Sequence, residues 1–301
     1  MMMYHQPVLL DECIAGLKIK PGGIYVDATF GGGGHSKGIL EHLEGGRLIA
    51  FDQDEEAMAN IPDDQRILYV KHNFRFLKNF LKYYEIKKID GLIADLGVSS
   101  HHFDSPQRGF SFRFNTDLDM RMNTRSGLTA SDIVNTYSEE ELGRIFFEYG
   151  ELKKARLLAK SLVEARATVP VTSVRDLVKT IEKFLPRHRE NHFLAQLFQA
   201  LRVEVNHEID NLKDLLIQSV EFLDVGARMV MISYHSLEDR LIKNFFRNGN
   251  FESSEEIKDL YGNVKRPLKP VNKRVIVPGE QEIEKNSRAR SAKLRIAEKV
   301  N

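Results

Sequence analysis

The sequence predicts an α/β fold, a mostly parallel sheet with crossover helices, interrupted by a smaller, all-helical inserted domain. Three observations predict it. Strand-like and helix-like stretches alternate through the first hundred residues. A further strand–helix pair stands far downstream, at 227–246. The about 130 residues between the two regions greatly exceed what one crossover requires.

The strands are taken in order as IYVDATF (24–30), RLIAFDQD (47–54), ILYVKHNF (67–74) and IDGLIADLGV (89–98), then ARMVMISYHS (227–236). Amphipathic stretches at 36–43, 74–86 and 236–246 supply helices for the faces of the sheet. A last alternating run, AKLRIAE (292–298), reads as a half-buried, antiparallel edge strand. In the long interval EEELGRIFFEYG, KKARLLAKSLVEARA, VRDLVKTIEKFL and FLAQLFQALRVEVNHEI all carry helical periodicity. The expected domains are therefore 1–106 with 207–301 for the sheet, and 107–206 for the helical insertion.

Composition narrows the class. Hydrophobic residues make up 42% and charged residues 29%, enough for a sizeable core and against general disorder. A single cysteine, Cys13, excludes an internal disulfide framework and a Cys-rich zinc site. No stretch approaches the ~18–20 apolar residues of a membrane helix. The N-terminus carries Asp11 and Glu12 where a secretory signal would be cationic and then apolar. A cytoplasmic protein without a membrane partner is expected. Residues 265–301 hold a net charge of +7 within a chain of net +1. That basic tail suits a polyanion; a solvated charged edge, which discourages strand pairing, accounts for it equally well.

The chemistry gathers at strand ends. DATFGGGGHS (27–36) places four glycines between a strand and a helix, where backbone can approach a ligand and the helix N-terminus favours a carboxylate or phosphate. About twenty residues on, Asp52 closes the second strand, positioned to accept hydrogen bonds from ribose hydroxyls. The dinucleotide pattern G-x-G-x-x-G/A fails in every frame of this loop, and the Lys-Ser/Thr of a phosphate-binding loop is absent. An acidic first strand, a glycine loop and an acidic second strand end suit S-adenosylmethionine better. Asp95 ends the fourth strand and would project into the same crevice, either orienting a substrate amine or only capping a turn and contacting cofactor. RGFSFRFNTDLDMRMN (108–123) interleaves Phe110, Phe112 and Phe114 with arginines. Unstacked RNA bases sit on such groups, but strand-like core packing explains the spacing as well. In SYHSLEDR (233–240), His235 and Ser236 would face the crevice, and Ser236 with Asp239 matches a capping box. His235 has no metal-spaced partner, and no metal is expected.

Together these segments closely resemble the ribosomal RNA small subunit methyltransferase H family. The resemblance rests on HQPVLLDE (5–12), DATFGGGGHS (27–36), DLGVSS (95–100), RGFSF (108–112), LDMRM (118–122), FQALRVEVN (198–206), HSLEDR (235–240) and SRARSAKLRIAE (287–298), in the family's order along nearly the whole chain. It departs from the family's commoner residues at His101-His102, Thr116-Asp117, Gln196-Leu197 and Asn286-Ser287. The resemblance implies a class I (Rossmann-like) methyltransferase sheet with an inserted helical domain. It implies an S-adenosylmethionine-dependent enzyme that methylates N4 of a cytidine in 16S rRNA, with the small ribosomal subunit as partner and a homodimer compatible. Cofactor contacts are implied at Gly33, Gly34, His35, Asp52, Phe74, Asp95 and His102. Asp95 is the catalytic candidate, and Arg108, Phe112, His235, Arg240, Arg288 and Arg290 are the substrate candidates.

Overall fold

A computed structural model of the chain describes residues 7–98, 108–125, 127–252 and 266–300. The chain divides into two compact units, Met1–Gly97 with Ile209–Asn301, and Val98–Glu208.

The first unit is built on a seven-stranded sheet: β1 (Ile24–Asp27), β2 (Arg47–Asp52), β3 (Ile67–Lys71), β4 (Ile89–Asp95), β5 (Leu223–Ser233), β6 (Leu268–Pro270) and β7 (Lys293–Lys299). Their order is β3-β2-β1-β4-β5-β7-β6. The first five in this order are parallel, whereas β7 runs antiparallel to both β5 and β6. The 292–298 run is therefore antiparallel but not an edge. Three-residue β6 takes the edge; it is too short for alternation to betray it, and Pro270, which lacks a ladder N–H, suits that position.

Both faces of the sheet are covered, which explains the continuous apolar runs. Val26, Ile49, Phe51, Leu92, Ala94, Met229 and Met231 face one way, toward α3 (Leu77–Tyr83), α9 (Glu208–Phe222) and α10 (Ser236–Asn248). Their neighbours Tyr25, Leu48, Ile93, Val230 and Ile232 face the other, toward α1 (Leu10–Leu17), α2 (Gly34–His42) and Ala289. This is the period-two alternation of a strand with apolar residues on both sides.

Observed strands stop two to three residues short of the expected C-terminal ends at β1 to β4. Three of these ends turn on their own side chains. Asp27 Oδ1 accepts from the Thr29 amide at 3.0 Å, Asp52 Oδ1 from the Asp54 amide at 2.8 Å and Asn73 Oδ1 from the Arg75 amide at 2.8 Å. Such an Asx bond, two residues ahead, supplies the turn locally and withdraws the amide from the ladder.

The second unit contains α4 (Ala130–Thr136), α5 (Glu139–Glu148), α6 (Ala155–Arg166), α7 (Val174–Ile181) and α8 (Glu190–Asn206). Three of them begin with reciprocal capping boxes, Thr129/Asp132, Ser138/Glu141 and Ser173/Asp176, which satisfy otherwise orphaned first-turn amides. Leu142, Ile145, Phe146, Leu158, Leu177, Leu197 and Leu201 form its core, joined by Phe110, Leu118 and Met120 from the irregular segment before α4. Asn206 at the end of α8 pins that segment, donating to the Met120 carbonyl and accepting from the Met122 amide, both at 2.8 Å.

Ile145 is fully buried at the centre of this helical core. Ile145→Ala should cost about 2–5 kcal/mol through lost transfer energy and the residual cavity, read as a lowered urea midpoint.

Candidate active site at the C-terminal edge of the sheet

The glycine loop is fastened to the strand ends around it. The Gly31 amide donates to Asp52 Oδ2 at 2.7 Å, and Asn60 Nδ2 donates to the Gly31 carbonyl at 3.0 Å. Asp27 is fully buried and accepts from Ser36 Oγ at 2.7 Å, which ties β1 to the first turn of α2. Burial pushes the Asp27 carboxyl up, against the opposing effects of the Ser36 hydroxyl, His35 and the Thr29 amide. Gly33, at φ 75°, is the N-cap of α2 and offers no side chain to its first-turn amides. Those amides form the N-terminus of a nine-residue helix and carry its positive dipole end. The donor set suits an anionic carboxylate at the loop and hydroxyls near Asp52. The loop and strand end thus fit the amino-acid and ribose portions of S-adenosylmethionine.

The described part of the N-terminal stretch, from Pro7 onward, lies against this loop. A Cβ at Gly34 would sit 2.9 Å from the Pro7 ring, so only glycine allows the approach. His35 Nε2 donates to the Val8 carbonyl at 3.0 Å, and the Leu9 amide donates to Glu282 Oε1 at 2.8 Å. His35 is buried and spent in this clasp, so its side chain holds the N-terminal strap, a role that spacing gave no hint of.

Asp95 stands at the centre. Its amide donates to Thr29 Oγ1 at 2.6 Å, and its Oδ1 accepts from the Tyr234 hydroxyl at 2.8 Å. Oδ2 lies 4.0 Å from His35 Nδ1, beyond hydrogen-bond reach, and the side chain keeps 24% of its surface open. Burial pushes the Asp95 carboxyl up to about 6; His35 and the Tyr234 hydrogen bond pull it down, while Asp27 and Glu238 push it up.

Tyr234, which no motif in the sequence marks, is thus the residue of SYHSLEDR that meets Asp95. His235 does not: its side chain is buried with Nε2 3.2 Å from Glu238 Oε1. Ser236 is exposed and caps nothing, because the N-cap of α10 is His235. Asp239 is drawn instead to Arg295 Nε at 2.6 Å and Lys293 Nζ at 3.4 Å. The expected capping box is absent because two cations on β7 compete for its carboxylate. The signal for Tyr234 was available in principle, since a phenol one residue beyond a strand end can reach the neighbouring parallel strand.

The other candidates divide between the units. Phe74 follows β3 and packs half-buried against the sheet core, on the same edge as the loop. Arg288 and exposed Arg290 occupy the turn Ser287–Ser291 before β7. Lys293 at the start of β7 pairs with Ser233 at the end of β5, which brings that turn to the same sheet edge. Arg240 is exposed in the first turns of α10. In the second unit, Arg108 donates to the carbonyls of Arg121 and Met122 at 2.9 and 3.0 Å. Phe112 packs edge-on against Phe198 with centroids 5.6 Å apart. Both serve the helical core there, whereas Phe114 and Arg113 stay exposed. His102 lies outside the described residues.

A parallel sheet continued by an antiparallel β7, a glycine loop after β1 and carboxylates ending β2 and β4 define a class I methyltransferase. The MraW methylase family model matches residues 2–300, and the chain belongs to that family. It is 54% identical to the ribosomal RNA small subunit methyltransferase H of Phocaeicola vulgatus, over 99% of this chain and 98% of that protein. The proteins of the same name from Parabacteroides distasonis and Flavobacterium johnsoniae are 56% and 55% identical over 99% of this chain, covering 98% and 99% of theirs. No helix among the described residues is long and apolar enough to cross a membrane.

Cys13 on α1 is fully buried, and its thiol is pushed well up by burial and by the charge of Asp95. A native sample should therefore leave Cys13 unreacted with a disulfide reagent at neutral pH and titrate one thiol only after denaturation.

Proposed function

We propose that the chain methylates N4 of a cytidine in 16S rRNA, with S-adenosylmethionine as donor and the small ribosomal subunit in the cytoplasm as its setting. The observation that carries this reading is Asp95: a carboxylate at the strand end with Oδ1 held by Tyr234 and a side chain that keeps part of its surface open. When bound, S-adenosylmethionine supplies a sulfonium-activated methyl group, whose carbon–sulfur bond breaks as the amine nitrogen forms the new carbon–nitrogen bond. The α2 N-terminus, with Gly33, Gly34 and the His35 backbone, would hold the cofactor carboxylate. Asp52 would accept from ribose hydroxyls while keeping Gly31 in place, and Phe74 would flank the adenine.

The exocyclic nitrogen of cytosine is a poor nucleophile because its lone pair is conjugated with the ring. Asp95 Oδ2 would accept one of its N–H bonds, turn the lone pair toward the methyl group and take up the proton released after transfer. Alignment of this kind contributes as much as ~7–11 kcal/mol. The target base would be turned out of its stack to reach the crevice. Arg240, Arg288 and Arg290 would meet RNA phosphates, His235 would be a further substrate-side residue, and Arg108 and Phe112 would shape the helical unit that recognises the substrate.

Mass spectrometry of 16S rRNA nucleosides from cells with and without the gene tests the reading. Loss of N4-methylated cytidine without the gene is expected; identical nucleosides would overturn it.

The working form of Asp95 is the carboxylate. Because its folded carboxyl titrates at about 6, protonation below that pH removes the acceptor. The single-turnover rate should be level above pH 6 and fall about tenfold per pH unit well below it. Asp52→Ala should weaken cofactor binding by about 1.5–3 kcal/mol, roughly ten- to a hundredfold in calorimetry, because charged hydrogen bonds are lost.

A further inference from the structure

We infer that Tyr234 is a positioning residue for methyl transfer: its hydroxyl holds Oδ1 of Asp95 and so presents Oδ2 alone to the substrate amine. The inference rests on the reading above, in which Asp95 accepts an amine N–H.

The carboxylate would otherwise be free to rotate about its last side-chain bond. Tyr234 removes that freedom with one hydrogen bond of 2.8 Å to Oδ1. Tyr234 is itself held at both ends. Its amide donates to Glu238 Oε2 at 3.0 Å, and its ring packs against the apolar cluster around α1 and β5. The phenol therefore has a fixed direction, which is what a supporting group needs if it is to orient a reacting one.

Oδ2 receives no comparable donor among the described residues. His35 Nε2 donates to the Val8 carbonyl, and its Nδ1 stands 4.0 Å from Oδ2, beyond hydrogen-bond reach. One carboxylate oxygen is committed and the other is left without a hydrogen-bond donor among the described residues, a division suited to gripping a single N–H.

Groups from several elements around Asp95 set its charge state. Asp27 from β1 and Glu238 from α10 disfavour the carboxylate, as does burial, whereas His35 from α2 and the Tyr234 hydroxyl favour it. Cys13 from α1 adds to the groups around Tyr234. The phenol is pushed up by burial and by Asp95, so it remains a donor throughout the working range. Tyr234 makes the direct hydrogen bond in this set, and removing its oxygen should raise the Asp95 midpoint and loosen its orientation together.

Tyr234→Phe removes only that oxygen. Carboxyl-carbon NMR of the cofactor-free protein, with Asp95 assigned through Asp95→Asn, should show a titration midpoint about one unit above wild type. The single-turnover rate should fall about tenfold with KM for RNA unchanged, its acid limb moving upward with the NMR midpoint. In an Asp95→Asn background the Tyr234→Phe change should cost nothing further. An unmoved midpoint, or losses that multiply in the double variant, would overturn the inference. Should the phenylalanine variant fail to fold, 3-fluorotyrosine at position 234 replaces it. Its more acidic phenol should lower the Asp95 midpoint, and no movement counts against the proposal. Because the titration needs neither RNA nor cofactor, a wild-type protein that methylates nothing would refute the functional reading separately.

Discussion

Burial of both faces of the parallel sheet is the constraint on which the rest of this structure depends. A strand with helices on either side has no room for an unpaired polar group along its length, since burying one without a partner costs several kcal/mol. Polar chemistry is therefore driven to the strand ends. Asp27, Asp52 and Asp95 all stand as the last residues of their strands. The parallel arrangement then gathers them at one edge, where the chain must in any case turn into loops.

The three carboxylates share a position but not a task. Asp27 is wholly internal, and its hydrogen bonds to Ser36 and Thr29 join β1 to the helix that follows the glycine loop. Asp52 turns its own strand end and anchors Gly31 at the same time. Each is consumed largely in shaping the loop, so the loop's geometry is preorganised rather than assembled by a ligand. Asp95 differs because its partner is a side chain reaching across from β5, which leaves the second oxygen uncommitted. The N-terminal strap completes the arrangement: Pro7 against Gly34, Val8 on His35 and Leu9 on Glu282 connect the start, the loop and the far end of the chain.

The helical unit is stabilised by other means. Capping boxes open three of its helices and its core is densely aliphatic. The arginine–phenylalanine segment shows how one pattern serves two ends. Phe110 and Phe112 fill the core and Arg108 and Arg121 hold local carbonyl and carboxylate oxygens, while Arg113 and Phe114 remain at the surface. Period-two spacing puts successive phenylalanines on one face only while the chain stays extended. Here the chain turns within RGFSFRF, and exposure changes with it.

Sequence by itself determined the sheet, the helical periodicity between its two parts, and the strand ends where the chemistry lies. Apolar run length, glycine content and terminal carboxylates are local properties, readable without knowing what packs against them. Only the tertiary structure decided how those side chains are used. His35 turned inward to the N-terminal strap, Asp239 went to Arg295 instead of capping its helix, and Tyr234 rather than His235 reached Asp95. Each outcome is a competition between partners 27 to 139 residues apart in the chain. Distance and burial settle such competitions, and neither is a property of a residue and its neighbours in sequence. The same holds for β6 and β7, whose ladder order depends on which edge of the sheet was left open once five parallel strands had closed.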